Sequence, residues 1–167
     1  MSDRRFRAAV ITVSDKGYRG EREDLSGPKA KEILESDIYD VVSTIIVPDG
    51  PELLKKELMR LCDNNLADLI VTSGGTGFSL RDLTPEVTMD VAERNAPGIA
   101  EYIRMRSLEK TGHAMLSRGV SVIRKQTLIV NLPGSPKAVA ESLSFILPYI
   151  PHGLDVLKGT ASECARK

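Results

Sequence analysis

The sequence predicts an α/β domain built on a mostly parallel sheet flanked by helices. Three observations carry that expectation. Short apolar runs rich in β-branched residues recur at 8–13 (AAVITV), 41–47 (VVSTIIV) and 68–72 (DLIVT), as in strands buried on both faces. Stretches with helical spacing separate these runs. Glycine and proline punctuate the junctions. Strand, helix, strand, helix, strand at this spacing is the pattern of βαβ units.

The elements follow in order. Residues 8–13 give the first strand, and the polar stretch 14–20, with Gly17 and Gly20, is expected as a loop. Ser26-Gly27-Pro28 opens a helix, with proline in the first turn, where its missing N–H does no harm; Ala30, Ile33 and Leu34 form its apolar stripe. Residues 41–47 give the second strand. Pro48-Asp49-Gly50-Pro51 stops it and opens a helix whose core face is Leu53, Leu54, Leu58 and Leu61. The third strand, 68–72, runs into Ser73-Gly74-Gly75-Thr76-Gly77. Thr84-Pro85 starts another helix, with Thr84 expected as its N-cap. Ala96-Pro97-Gly98 separates it from a helix reaching about Leu108. Two apolar runs, 119–123 and 127–132, flank Arg124-Lys125-Gln126 and read as a hairpin, one strand of which is free to run parallel to the main sheet. Ser135-Pro136 repeats the cap-plus-proline device for a helix to about Leu147. Ile150, Leu154 and Leu157 carry helical spacing at the C-terminus.

With 167 residues and no internal repeat, low-complexity tract or interdomain linker, one domain over residues 1–167 is expected. The chain has no Trp, three Phe and four Tyr, so aliphatic side chains must fill the core. Lys plus Arg and Asp plus Glu are both 23. That balance argues against a nucleic-acid partner, which usually demands a basic excess. Cys62 and Cys164 belong to no C-x-x-C pair, which disfavours a disulfide framework or a zinc ribbon. The N-terminal apolar run is too short for a signal sequence, and no membrane-length stretch follows. A soluble, cytoplasmic protein without a membrane partner is expected.

Two turns stand out chemically. Residues 74–77 (GGTG) directly follow a strand, where glycines permit left-handed backbone and successive N–H groups can cradle an anion. The pattern lacks the Gly-Lys-Ser/Thr of a P-loop, and Leu80 stands where G-x-G-x-x-G needs its third glycine. Asn131-Leu132-Pro133-Gly134-Ser135-Pro136 also joins a strand to a helix. Three acids lie near the same sheet edge: Asp15, Asp49 and Asp82. Asp82 can cap a helix, pair with Arg81, or reach a Mg²⁺ held against substrate phosphates, since such sites use one or two carboxylates. Asp49 is the second carboxylate, or a cap ahead of Pro51. His113 and His152 are isolated and lack a nearby nucleophile motif. Cys62 reads as packing, Met105, Met115 and the lone aromatics as core or interface, and Arg124-Lys125 as a solvated turn able to attract an anion.

The combination of TSGGTGFSLRDLTPE (72–86) and NLPGSPKA (131–138) resembles the MogA/MoaB family, and within it the MogA-type adenylyltransferases. TVSD (12–15), DLSG (24–27), VPD (47–49) and AMLSR (114–118) extend the likeness over nearly the whole chain. The resemblance implies a doubly wound α/β fold with a small β-hairpin edge, the molybdopterin-binding fold, and assembly as a homotrimer. It implies AMP transfer from ATP, with Mg²⁺, to the terminal phosphate of molybdopterin, with hand-over to a separate molybdate-inserting enzyme. Asp49 and Asp82 match the acids that carry chemistry and metal. The GGTG loop (Ser73, Gly74, Gly75, Thr76, Gly77) matches a binding loop. Asn131, Pro133, Gly134 and Ser135 match substrate contacts, with Ser14, Asp15 and Ser117 as further ones.

Alternatives from other classes are a molybdopterin-binding, MoaB-like module with little or no catalysis, and a generic nucleotide-binding enzyme. The absence of a P-loop lysine and of a nucleophile motif disfavours the latter.

Overall fold

The structure, a computed structural model, describes residues 5–161. Cys164 lies outside them. Six strands form one sheet: β1 (Phe6–Val13), β2 (Tyr39–Val47), β3 (Leu69–Ser73), β4 (Arg94–Asn95), β5 (Ser121–Arg124) and β6 (Thr127–Leu132). Their spatial order is β2-β1-β3-β6-β5-β4. The first four in that order run parallel, and β5 and β4 add an antiparallel edge. Seven α-helices accompany them among the described residues: α1 (Asp15–Tyr18), α2 (Ser26–Glu35), α3 (Pro51–Asp63), α4 (Thr84–Val91), α5 (Pro97–Leu108), α6 (Pro136–Ile146) and α7 (Ile150–Leu157).

The continuous apolar runs have a direct cause. Successive side chains point to opposite faces of a strand, and here both faces are covered. Phe6, Ala8 and Val10 of β1 pack with Leu34 of α2, Leu143 of α6 and Leu154 of α7. Ala9, Ile11 and Val13 pack with Leu54 and Leu58 of α3 and Val87 of α4. The sheet is therefore doubly wound. β2, at the edge, is buried only at its ends, Tyr39 and Val47, and over most of the length between them exposed residues alternate with half-buried ones.

Several expectations gain detail. The expected hairpin forms, with β6 antiparallel to β5 on one side and parallel to β3 on the other. Lys125 takes φ 52° in its tight turn. Arg124 is not solvated: its fork holds Asp63 at 2.7 and 2.9 Å. The stretch 14–20 is not wholly a loop, because the Ser14 hydroxyl accepts from the Gly17 N–H and starts the single-turn α1. The two-residue strand β4 carries too few residues for any periodicity to reveal it.

The amino ends of the parallel strands, opposite the site described below, are fastened by Asp68. This buried carboxylate accepts from the Arg7 backbone N–H and side chain, both at 2.8 Å, and pairs with Lys158. Burial alone pushes its pKa up, but the hydrogen bonds from Arg7 and Lys158 outweigh it and hold the group at about 2. An unfolded carboxyl titrates near ~3.9. The stabilisation is thus fully present above that value and is lost as pH falls from about 4 to about 2. Asp68→Asn is expected to cost about 2 kcal/mol at pH 7 and to remove that part of the acid sensitivity, measured by urea unfolding across pH.

Candidate functional site

A cavity of about 530 Å³ opens at the carboxyl ends of the parallel strands. The chain goes from β1 outward to β2 and then back past β1 to β3. The strand order therefore reverses between β1 and β3, which is where open α/β sheets hold ligands. Ser14 follows β1, Asp49 follows β2, Gly74, Gly75 and Asp82 follow β3, and Gly134 and Ser135 follow β6; all line this cavity.

The glycine loop is built for close approach. Gly74 has φ 100°, and a Cβ there would stand 2.4 Å from the Val13 carbonyl oxygen. Gly75 has φ 66°, and its Cβ would meet the Thr84 hydroxyl at 2.3 Å. Gly77 has no left-handed φ; a Cβ there would stand 2.9 Å from Asp82 Oδ2, the end of a side chain that can shift. The Gly75, Thr76 and Gly77 N–H groups have no protein acceptor among the described residues. Thr84 does not cap α4 as expected. Its hydroxyl donates to the Gly74 carbonyl at 2.9 Å and its N–H to the Gly75 carbonyl at 3.1 Å, so it moulds the loop instead.

The second turn is locked onto the first. Ser73 Oγ donates to the Pro133 carbonyl at 3.0 Å, and Ser26 Oγ to the Gly134 carbonyl at 2.6 Å. A Cβ on Gly134 would stand 3.5 Å from Gly74 Cα. Ser135 Oγ accepts from the Ala138 N–H and caps α6. Asn131 is buried in the sheet beneath: its amide donates to the Thr72 and Thr88 hydroxyls, each at 3.0 Å, and its oxygen accepts from the Val120 N–H at 3.1 Å. Asn131→Leu strands those partners and is expected to cost about 2 kcal/mol of stability. Thermal unfolding checks it, with the Michaelis constants of any surviving enzyme unchanged.

Asp49 and Asp82 line the cavity, and Asp15 is bonded to Asp49 outside its lining. Asp49 Oδ2 accepts from the Asp15 N–H, and Asp15 Oδ1 accepts from the Asp49 N–H, both at 3.0 Å. Arg81 grips Asp15 with Nε to Oδ2 at 2.7 Å and Nη2 to Oδ1 at 3.0 Å, and this fork holds the Asp15 carboxyl below the usual carboxylate range. Arg81 therefore pairs with Asp15 rather than with its neighbour Asp82. Asp82 Oδ2 accepts from the Ser79 N–H at 3.0 Å. Asp49 and Asp82 thus each keep Oδ1 without a protein donor among the described residues. Asp49 does not cap α3, whose N-cap is Gly50.

Asp15, Thr76, Gly77, Ser117, Asn131 and Pro133 do not line the cavity. The Ser117 carbonyl accepts from Arg104 at 3.4 Å. His113 and His152 are exposed and elsewhere. Cys62 is buried, which pushes its thiol up to about 11 and leaves it unreactive at neutral pH. Three residues escaped the sequence reading. Asp24 accepts from the Ser26 and Gly27 N–H groups and the Thr12 hydroxyl, and lines the cavity. Ser26 joins α2 to the second turn. Arg118 donates to the Gly77 and Asp82 carbonyls at 2.8 and 2.6 Å, bracing the loop between them. The signals available were the motifs DLSG (24–27) and AMLSR (114–118), which hold Asp24, Ser26 and Arg118, and the acid two residues ahead of Ser26-Gly27-Pro28 as an N-terminal cap.

Comparison with known proteins agrees with this architecture. Residues 9–152 match the family described as "Probable molybdopterin binding domain". The chain is 40% identical over 160 residues to the molybdopterin adenylyltransferase of Helicobacter pylori, covering 95% of this chain and 91% of that one. It is 35% identical over 174 residues to the Escherichia coli K12 protein of the same name, covering 96% and 89%. Its fold is similar to that of the molybdopterin biosynthesis enzyme MoaB of Thermus thermophilus, with a TM-score of 0.87 and 47% identity over 92% of this chain and 97% of that one. A doubly wound sheet with an antiparallel edge, two interlocked glycine turns and this match over most of its length establish that the chain belongs to the molybdopterin-binding MogA/MoaB family.

Proposed function

We propose that the protein is a molybdopterin adenylyltransferase of molybdenum cofactor biosynthesis, acting as a single domain over residues 1–167. The observation that carries this reading is the pair of carboxylates, Asp49 and Asp82, each with one oxygen unclaimed, on the wall of a cavity floored by two glycine turns. The reaction joins a phosphate oxygen of molybdopterin to the α-phosphorus of ATP, breaks the α–β bridging P–O bond and releases pyrophosphate. The attacking oxygen is anionic at neutral pH and needs no general base, in keeping with a cavity that no histidine lines. Catalysis then rests on positioning and charge neutralisation.

The donor set suits Mg²⁺. Two free carboxylate oxygens are hard ligands, and among the described residues no three His, Cys, Asp or Glu side chains gather into a self-sufficient cage. Magnesium on phosphate substrates is held in this way, by one or two carboxylates with the rest supplied by phosphate and water. When bound, the ion would neutralise the triphosphate and the leaving pyrophosphate. The protein would do the remainder: Asp49 and Asp82 would hold the metal, and the Gly75 N–H, at the cavity and without a protein acceptor among the described residues, would donate to a phosphate oxygen. Ser14, Ser73, Gly74, Gly134 and Ser135 shape the pocket around the substrates. Asp15, Asn131, Pro133 and Ser117 would act from outside its lining.

Exposed apolar side chains at Met105, Leu108, Met115 and Leu116 support assembly into a homotrimer, and the product would pass to a molybdate-inserting enzyme. No described helix is long and apolar enough to cross a membrane, and a cytoplasmic location fits an ATP-consuming step. The competing reading, pterin binding without catalysis, predicts a different outcome in one assay. Incubation with ATP, Mg²⁺ and molybdopterin is expected to release pyrophosphate only when the pterin is present. Binding without pyrophosphate would favour the module; release without pterin would sink the assignment.

A further inference from the structure

Neither Arg81 nor Asp15 lines the cavity, yet together they bind three strand ends into one unit. We propose that this ion pair is a positioning strut that sets the separation of the two metal-holding acids. The inference rests on the reading of Asp49 and Asp82 as Mg²⁺ ligands and adds to it how they are held in register.

The connectivity is explicit. Asp15 follows β1, the strand between β2 and β3. On one side it exchanges backbone-to-carboxylate hydrogen bonds with Asp49, each 3.0 Å. On the other it receives the fork of Arg81, the residue next to Asp82. Arg81 Nη2 also donates to the Asp49 carbonyl at 2.8 Å. One guanidinium therefore ties the segment carrying Asp82 to the segment carrying Asp49, with Asp15 as the post between them. Without the strut the acids sit on separate loops. Asp49 precedes Gly50, which has φ 119° and open space around it. Asp82 keeps only its contacts to Ser79 and Arg118.

Two physical points decide what the strut is for. The Arg81 side chain is 61% exposed, and exposed ion pairs contribute little to stability. Both Asp15 carboxylate oxygens are already taken by donors, so Asp15 has little capacity left for substrate. What a bidentate fork does supply is fixed geometry, and Mg²⁺ demands near-ideal octahedral placement of its ligands. The effect of the strut should appear in metal-dependent binding rather than in folding.

The test is calorimetric titration of a non-hydrolysable ATP analogue into the full chain, with Mg²⁺ or with EDTA. Asp15→Asn and Arg81→Gln are each expected to weaken Mg²⁺-supported binding about tenfold, the usual cost of losing a residue that orients a metal ligand. Binding in EDTA should not change, and melting temperatures should stay near the wild type. The double variant should be no worse than the weaker single one, because the pair acts as one device. Arg81→Lys should fall between wild type and Arg81→Gln, since an ammonium keeps a bond to Asp15 but lacks the fork. Equal losses with and without Mg²⁺ would assign Arg81 to substrate contact and overturn the strut; unchanged Mg²⁺-supported binding would overturn it as well. A wild-type protein whose nucleotide affinity ignores Mg²⁺ would refute the metal reading itself, and the strut with it.

Discussion

Asp82→Asn is expected to lower pterin-dependent pyrophosphate release by a factor of at least about 10²–10³, the range seen when one preorganised electrostatic group is removed from a transition state. Asp49→Asn should behave alike. Each substitution keeps an oxygen able to accept the existing backbone hydrogen bond, from Ser79 or from Asp15, so loop geometry should persist. Each removes the charge that would hold Mg²⁺. Fold and pterin binding should therefore survive while turnover fails, a split read by circular dichroism, pterin titration and pyrophosphate assay. Normal turnover by either variant at saturating Mg²⁺ would remove the metal-holding role from that residue.

The second large effect is expected at Gly74. Gly74→Ala combines a left-handed φ of 100° with a Cβ only 2.4 Å from the Val13 carbonyl oxygen. That oxygen is backbone at the end of a buried central strand and cannot swing away. Strain of this kind costs about 1–3 kcal/mol for the dihedral alone. With the overlap added, a loss of about 3 kcal/mol is expected, a fall in melting temperature of about 6–12 °C for a chain of this size. Activity should fall further than stability, because relief requires moving the amides of the following loop residues. Gly98→Ala makes the control: nothing lies within 4 Å of its Cβ position and its φ is not left-handed, so the melting temperature should hold or rise slightly. A wild-type melting temperature for Gly74→Ala would show that the loop is not locked where it lies.

Much of the fold was legible because its strands are buried on both sides. Residues 8–13, 69–72 and 127–132 must be apolar at nearly every position to face two helix layers, and such runs stand out. Starts of helices were legible where proline marks them, as at Pro51, Pro97 and Pro136. Thr84 shows the limit. A threonine before proline reads as a cap, yet its hydroxyl is spent on the Gly74 carbonyl ten residues earlier in the chain. Local pattern cannot see a partner that only a loop closure supplies. The short β4 and the single turn α1 escaped for a simpler reason: neither is long enough to show a period.

The site divides the same way. Sequence by itself determined that two glycine-bearing turns and three acids follow strands, and that a neutral chain must bind anions locally. Residue type and order suffice for that, because strand ends of a parallel sheet share an edge. By residue type and position alone Asp15, Asp49 and Asp82 look alike, and the family resemblance singles out Asp49 and Asp82; only the tertiary structure shows which of their oxygens are free. Folding leaves Asp49 and Asp82 each with a free oxygen at the cavity, whereas both oxygens of Asp15 are taken by Arg81, 66 positions away, and by the Asp49 N–H. Likewise Asn131, beside the second turn in sequence, is drawn under the sheet by Thr72, Thr88 and Val120. A carboxylate or amide goes to whichever donors and acceptors folding brings within 3 Å, and those are set by strand order, not by neighbours along the chain.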